Sequence, residues 1–140
     1  MRRVLLVLGA AVTSVLLSAS PALAQEPTLT VTINSAVIIN PFQMRVAGTI
    51  DKCVAGEQYG AFVVVTQKGP KQSTVRGFGS TGGTCANTGP QTWTEIVGAE
   101  DLTFNPGKTF VSAEGQVCDE TGEPICSVGS ASRTLQVKRG

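Results

Sequence analysis

From Thr28 onward the chain alternates apolar and polar residues with a period of two, and Gly- or Pro-bearing turns cut that alternation into short pieces. Leu29, Val31 and Ile33 share one parity, with threonines on the other; Met44, Val46, Gly48 and Ile50 alternate in the same way with Arg45, Ala47 and Thr49. A period of two sends successive side chains to opposite faces of a strand, whereas a helix needs apolar residues three and four apart. Turn signals stand at Asn40-Pro41, Gly69-Pro70, Gly82-Gly83, Gly89-Pro90, Asn105-Pro106-Gly107 and Thr121-Gly122. These residue types supply the dihedral angles that tight turns require.

Seven strands are expected, over 28–33, 44–52, 59–67, 74–79, 92–97, 108–117 and 133–138. The run Phe62-Val63-Val64-Val65 is apolar on both parities, which reads as a central strand covered on each side. The Gly-interrupted stretch 74–79 reads as an edge, and Trp93 as a core residue. Along 108–117, Thr109, Val111, Ala113 and Val117 share one parity and Phe110 stands on the other. No window of a dozen residues in this region has helical spacing. Seven short strands in about a hundred residues indicate an immunoglobulin-like antiparallel β-sandwich, with a small Greek-key barrel as the other arrangement.

The first 24 residues have the composition of a secretory signal. Arg2 and Arg3 give a positive start, residues 4–17 are apolar, and Ala22 and Ala24 stand in the A-x-A relation before Gln25. Cleavage there leaves residues 25–140 as a single domain, exported and extracellular, and no later segment is apolar enough to span a bilayer. Removing Arg2 and Arg3 leaves nine basic residues against ten acidic ones. A domain so near neutrality gives no electrostatic reason to expect nucleic acid or an anionic membrane as partner.

Export gives the four cysteines, Cys53, Cys85, Cys118 and Cys126, the oxidising setting in which an even count reads as two disulfides. The strand layout puts all four at one pole, among the connections after the second, fourth and sixth strands. Three connectivities are possible. Local pairing would close Cys118–Cys126 around a short acidic loop and tie Cys53 to Cys85; the antibody-like Cys53–Cys118 link stays open, although no Trp stands on the third strand and Gln116 occupies the tyrosine-corner position. No C-x-x-C pair and no histidine is present, so the zinc pattern is not met.

The absence of histidine also removes the usual base for serine-nucleophile catalysis. Glu95, Glu100, Asp101, Glu114, Asp119, Glu120 and Glu123 could in principle supply an acidic pair, but a domain of this size gives no evident sugar cleft. Asp119, Glu120 and Glu123 match no calcium-loop spacing and are instead the acidic part of a candidate binding loop. Lys68, Lys71 and Arg76 cluster around the Gly69-Pro70 turn, where they could meet an anionic partner or keep a hairpin soluble.

Gly48-Thr49-x-x-x-Cys53, a Val-rich strand, Arg76-Gly77-Phe78-Gly79, and Cys85 shortly before Trp93 resemble an uncharacterised family of small secreted actinobacterial proteins, a domain of unknown function. Pro106-Gly107 before a Val/Ala-rich strand is similar too. This resemblance implies a Cys53–Cys85 disulfide and an immunoglobulin-like fold, with Cys118 and Cys126 additional to the family pattern. Val46-Ala47-Gly48 and Cys126-Ser127-Val128-Gly129 are more faintly similar to neocarzinostatin-type apoproteins, which implies a carrier with a small-molecule cavity between sheets. The sequence thus leads to the expectation of a secreted, disulfide-stabilised, non-enzymatic binding module without cofactor or metal, its partner being a protein, an envelope component or a small molecule.

Overall fold

The computed structural model of the chain describes residues 29–119 and 125–140. The expected leader, including Ala22 and Ala24, and Gln25 after it lie outside the described residues, as do Glu120 and Glu123. The described chain is all-β, with strands β1 (Val31–Asn40), β2 (Gln43–Cys53), β3 (Gln58–Lys68), β4 (Thr74–Thr84), β5 (Gly89–Ala99), β6 (Gly107–Cys118) and β7 (Cys126–Val137). The helical piece among the described residues is a 3-10 turn, Pro70–Gln72.

All seven strands belong to one sheet, in the order β1-β2-β5-β4-β3-β6-β7, and every neighbouring pair runs antiparallel. The sheet curls until its outer strands meet. At one end Ile38 N–H donates to Lys138 O at 3.0 Å and Gly140 N–H donates to Ile38 O at 3.1 Å, a parallel bridge between the β1 edge and the tail of β7. Midway along the seam the Arg133 guanidinium donates to Ile33 O at 3.0 Å. Further on, the Leu29 carbonyl rests on Gly129, where no side chain intervenes. The opposite side is looser. β4 and β5 pair only at Gly77–Ala99 and Phe78–Gly98, after which β4 stays with β3 and leaves β5.

Alternation decides which side chains fill the interior. Val46, Gly48 and Ile50 of β2, Val63 and Val65 of β3, Trp93 and Val97 of β5, and Val111 and Ala113 of β6 all point inward and are buried. Phe104, from the β5–β6 connection, is fully buried among them. Thr109 and Gln67 are the buried polar exceptions, and Gln67 is an amide at the end of β3. It is satisfied by donating to Thr109 Oγ1 at 2.6 Å and to Asn105 O at 2.8 Å, and by accepting from Asn105 N–H at 3.1 Å. Full pairing of this kind is what makes a buried polar group tolerable.

Three sequence expectations need correction. β1 runs on to Asn40 because a register shift between Ile33 and Ser35 moves the inward set from Ile33 to Ala36 and Ile38, so simple alternation stops where the strand does not. β3 is covered on one face only: Ala61, Val63 and Val65 are buried, while Phe62 is 45% exposed. β4 is not an edge in the strand order, and it pairs with β3 along its whole length despite four glycines.

Candidate functional site

The ladders among β4, β3, β6 and β7 place residues in rows across the outer face of this half of the sheet. Starting at the disulfide end, the rows read Thr84, Gln58, Cys118, Cys126; then Gly82, Gly60, Gln116, Val128; then Ser80, Phe62, Glu114, Ser130; then Phe78, Val64, Ser112, Ser132; then Arg76, Thr66, Phe110, Thr134. Lys68 and Lys108 follow the last β3–β6 pair, Gln67–Thr109, with Thr74 and Gln136 as their outer neighbours. Phe62, Phe78 and Phe110 are therefore on one surface, 45%, 52% and 47% exposed. Phe42, in the β1–β2 turn, is exposed as well, so Phe104 is the one phenylalanine of five in the core. Aromatic rings are among the most favourable residues to bury, and here three of them, in neighbouring rows on three strands, are left exposed on a strand-paired surface.

Two cavities lie on this face. One, of about 730 Å³, is lined by Phe62, Ser80, Glu114, Gln116, Val128 and Ser130, over a row in which Gly82 and Gly60 carry no side chain. The other, of about 370 Å³, is lined by Thr66, Lys68, Thr74, Lys108, Phe110 and Thr134. The surface thus presents hydroxyls and exposed rings throughout, with the Glu114 carboxylate and Gln116 amide at the larger cavity and two lysines at the smaller.

The sequence-predicted site residues fall at both ends. The cysteines form two bonds, Cys53–Cys85 and Cys118–Cys126, with Cα–Cα separations of 5.7 and 4.0 Å. All four are at one pole, since Gln58 pairs with both Thr84 and Cys118, and Cys53 stands opposite Gly89. Their parities differ. Cys53 and Cys85 are buried and close the core, while Cys118 and Cys126 face outward at the top of the row map. Asp119 follows directly: its N–H donates to Ile125 O and its carboxylate accepts from Ile125 N–H, each at 3.2 Å. Its two acidic companions in the candidate loop, Glu120 and Glu123, are outside the described residues.

The other acidic candidates are not brought together. Glu114 is on the outer face, Glu100 and Asp101 follow β5, and Glu95 points inward from β5 where β4 departs. Burial there raises the Glu95 carboxyl above the usual carboxylate range, and a backbone hydrogen bond from Ser80 partly offsets the rise. Among the described residues, no group of three His, Cys, Asp or Glu side chains is placed to hold a metal ion. No helix there is long and apolar enough to cross a membrane.

The residues that sequence reasoning missed are Phe62 and Phe78. A signal for them existed: Phe110 stood on the parity opposite a buried set, and the ladders put Phe62 and Phe78 on that same parity. Neither models of known protein families nor curated proteins match the sequence.

Proposed function

We propose that this protein is a secreted, disulfide-stabilised, non-enzymatic binding module with an immunoglobulin-like β-sandwich fold, its leader cleaved after Ala24. The observation that carries the reading is the set Phe62, Phe78 and Phe110, exposed together on the β4-β3-β6-β7 face. Preorganised sheet positions lose little conformational entropy on binding, and exposed aromatic rings are what interfaces enrich. The sandwich assignment is supported by the strand order and by the two-pair contact between β4 and β5, which divides the sheet into β1-β2-β5 and β4-β3-β6-β7 halves around one core. Export is supported by the leader composition and by two disulfides in a small domain. The non-enzymatic reading rests on the absence of histidine and the scatter of the carboxylates.

A small-molecule carrier is the second reading, drawn from the apoprotein resemblance. The core favours the surface reading over it, because Trp93, Phe104, Ile38 and Met44 are fully buried in the interior. Native mass spectrometry of the secreted protein separates them, since a carrier brings extra mass that is lost on denaturation. For the surface reading, the mature protein and a Phe62→Ser/Phe78→Ser/Phe110→Ser variant are immobilised and exposed to culture medium and cell-envelope fractions of the host. Material retained by the wild type and lost from the variant is the expected result. Equal retention by both, or none by either, overturns the assignment of this face.

A further inference from the structure

We propose that the Lys68–Lys108 end of the outer face binds acidic polysaccharide, seating a uronate carboxylate between the two ammonium groups and a sugar ring on Phe110. The inference rests on reading this face as a binding surface and names the ligand class.

The first observation is electrostatic. Lys68 and Lys108 stand one residue past the last β3–β6 pair, Gln67–Thr109, and both line the smaller cavity, so two like charges are brought to one place on adjacent strands. A bound anion turns that repulsion into attraction. The pair is part of a wider segregation. Of the nine cationic side chains in the described residues, Lys68, Lys71, Arg76, Lys108, Lys138 and Arg139 are gathered toward this end, while Asp51, Glu57 and Asp119 are toward the disulfide end. Glu100 and Asp101 also lie toward the cationic end, but beside β4 rather than β6: Glu100 N–H donates to Arg76 O. Near-neutral net charge therefore conceals a cationic pole.

The second observation is the shape and chemistry of the cavity. Its volume, about 370 Å³, is in the range of small-ligand sites, and its lining combines Phe110 with two lysines and the hydroxyls of Thr66, Thr74 and Thr134. A pyranose ring has apolar C–H faces and a rim of hydroxyls, and a uronate adds one carboxylate. Each of these has its counterpart here. A peptide is less well served, because extended peptides dock by adding to a free strand edge and both β3 and β6 are hydrogen-bonded on both sides.

The third observation is the adjoining hairpin. Lys71 and Gln72 both adopt left-handed backbone, with φ of 52° and 63°, where such turns normally take Asn-Gly. Gly69 N–H to Ser73 O at 2.7 Å and Ser73 N–H to Pro70 O at 3.0 Å hold the strained tip, which carries Lys71 beside Lys68. Unfavourable backbone maintained in this way clusters at ligand-binding segments. The larger cavity lies further along the same face toward Gln116, eight residues along β6 from Lys108, or about 27 Å at ~3.4 Å per residue, and Glu114 is in its lining, so the uronate is held at the lysine end while the rest of the polymer leaves into solvent.

The test is calorimetric titration of the mature protein with oligogalacturonate at low ionic strength, beside a neutral maltooligosaccharide of equal length and poly-glutamate. Expected are binding of oligogalacturonate alone, weakening with added salt, and a loss of at least about tenfold in affinity for Lys68→Gln/Lys108→Gln. That variant removes a repulsion, so its melting temperature should not fall, and folding is not at issue. No binding, equal binding by the variant, or equal binding of maltooligosaccharide or poly-glutamate overturns the ligand class. If oligogalacturonate fails while host material is still retained in a phenylalanine-dependent way, only this inference falls. If both fail, the reading of the face falls with it.

Discussion

The indole of Trp93 lies across the space where a side chain on Gly48 would begin, and the two residues face each other in the β2–β5 ladder. A Cβ at position 48 would also strike the carbonyl of Thr32 on β1, so three strands meet at this one bare backbone position. Trp93 Nε1 is buried with no acceptor among the described residues, which leaves packing as the contribution of the ring.

Gly48→Ala should therefore destabilise the domain by about 1–3 kcal/mol, the usual range for overpacking a filled core. Urea unfolding followed by the fluorescence of Trp93 measures it directly, because the chain has a single tryptophan. An unchanged midpoint would mean that β1 and β2 separate easily.

The two disulfides should differ in weight. Their sequence separations of 32 and 8 residues correspond to loop-closure contributions of about 3.5 and about 2.5 kcal/mol. Burial of Cys53 and Cys85 adds to the difference, since serine at either position sets a hydroxyl in the core. Guanidinium unfolding of Cys53→Ser/Cys85→Ser and of Cys118→Ser/Cys126→Ser should rank the first pair as the more damaging.

Gln67→Leu should cost about 1–3 kcal/mol, because the backbone N–H and carbonyl of Asn105 lose their buried amide partner. Amide hydrogen exchange at Asn105 should accelerate more than exchange at Val63 in the middle of β3. Uniform acceleration would show that Gln67 supports the whole fold and not the β5–β6 connection.

Glu95 fixes a direction of pH dependence. Its folded pKa is raised by burial, so the folded state holds the proton more readily than the unfolded chain. This contribution to stability is complete below the unfolded carboxyl value and is lost as pH rises through the raised one. Glu95→Gln, which keeps an acceptor for Ser80, should then raise the melting temperature at neutral pH, with the gain shrinking in acid. A melting temperature that falls at neutral pH would overturn this sign.

Much of the architecture was legible because alternation survives in strands with one buried face. β2 and β6 show this best: Met44, Val46 and Ile50, and Val111, Ala113 and Val117, are inward as their parity requires. β1 was cut short because the register shift after Ile33 changes the inward parity without any Gly or Pro to announce it. The outer face was hidden for another reason. Phe62-Val63-Val64-Val65 is apolar on both parities, and composition alone does not distinguish a strand covered twice from one whose outer side chains await a partner. The approach of Lys68 and Lys108 to one cavity depends on register between strands forty residues apart, which no local pattern encodes.

Both covalent links fasten the same end of the molecule, Cys53 to Cys85 in the interior and Cys118 to Cys126 outside. The far end is closed without a covalent link, by Phe104 N–H to Pro41 O at 2.7 Å, Ala99 N–H to Phe42 O at 2.9 Å, the Ile38–Lys138 bridge and the bonds of Gln67 to Asn105 and Thr109. An opening that began there would run toward the riveted end, where the disulfides keep β2, β6, β7 and the end of β4 leashed. The molecule is thus built like a clothes-peg, its covalent spring at one end and its jaws closed by non-covalent bonds at the other.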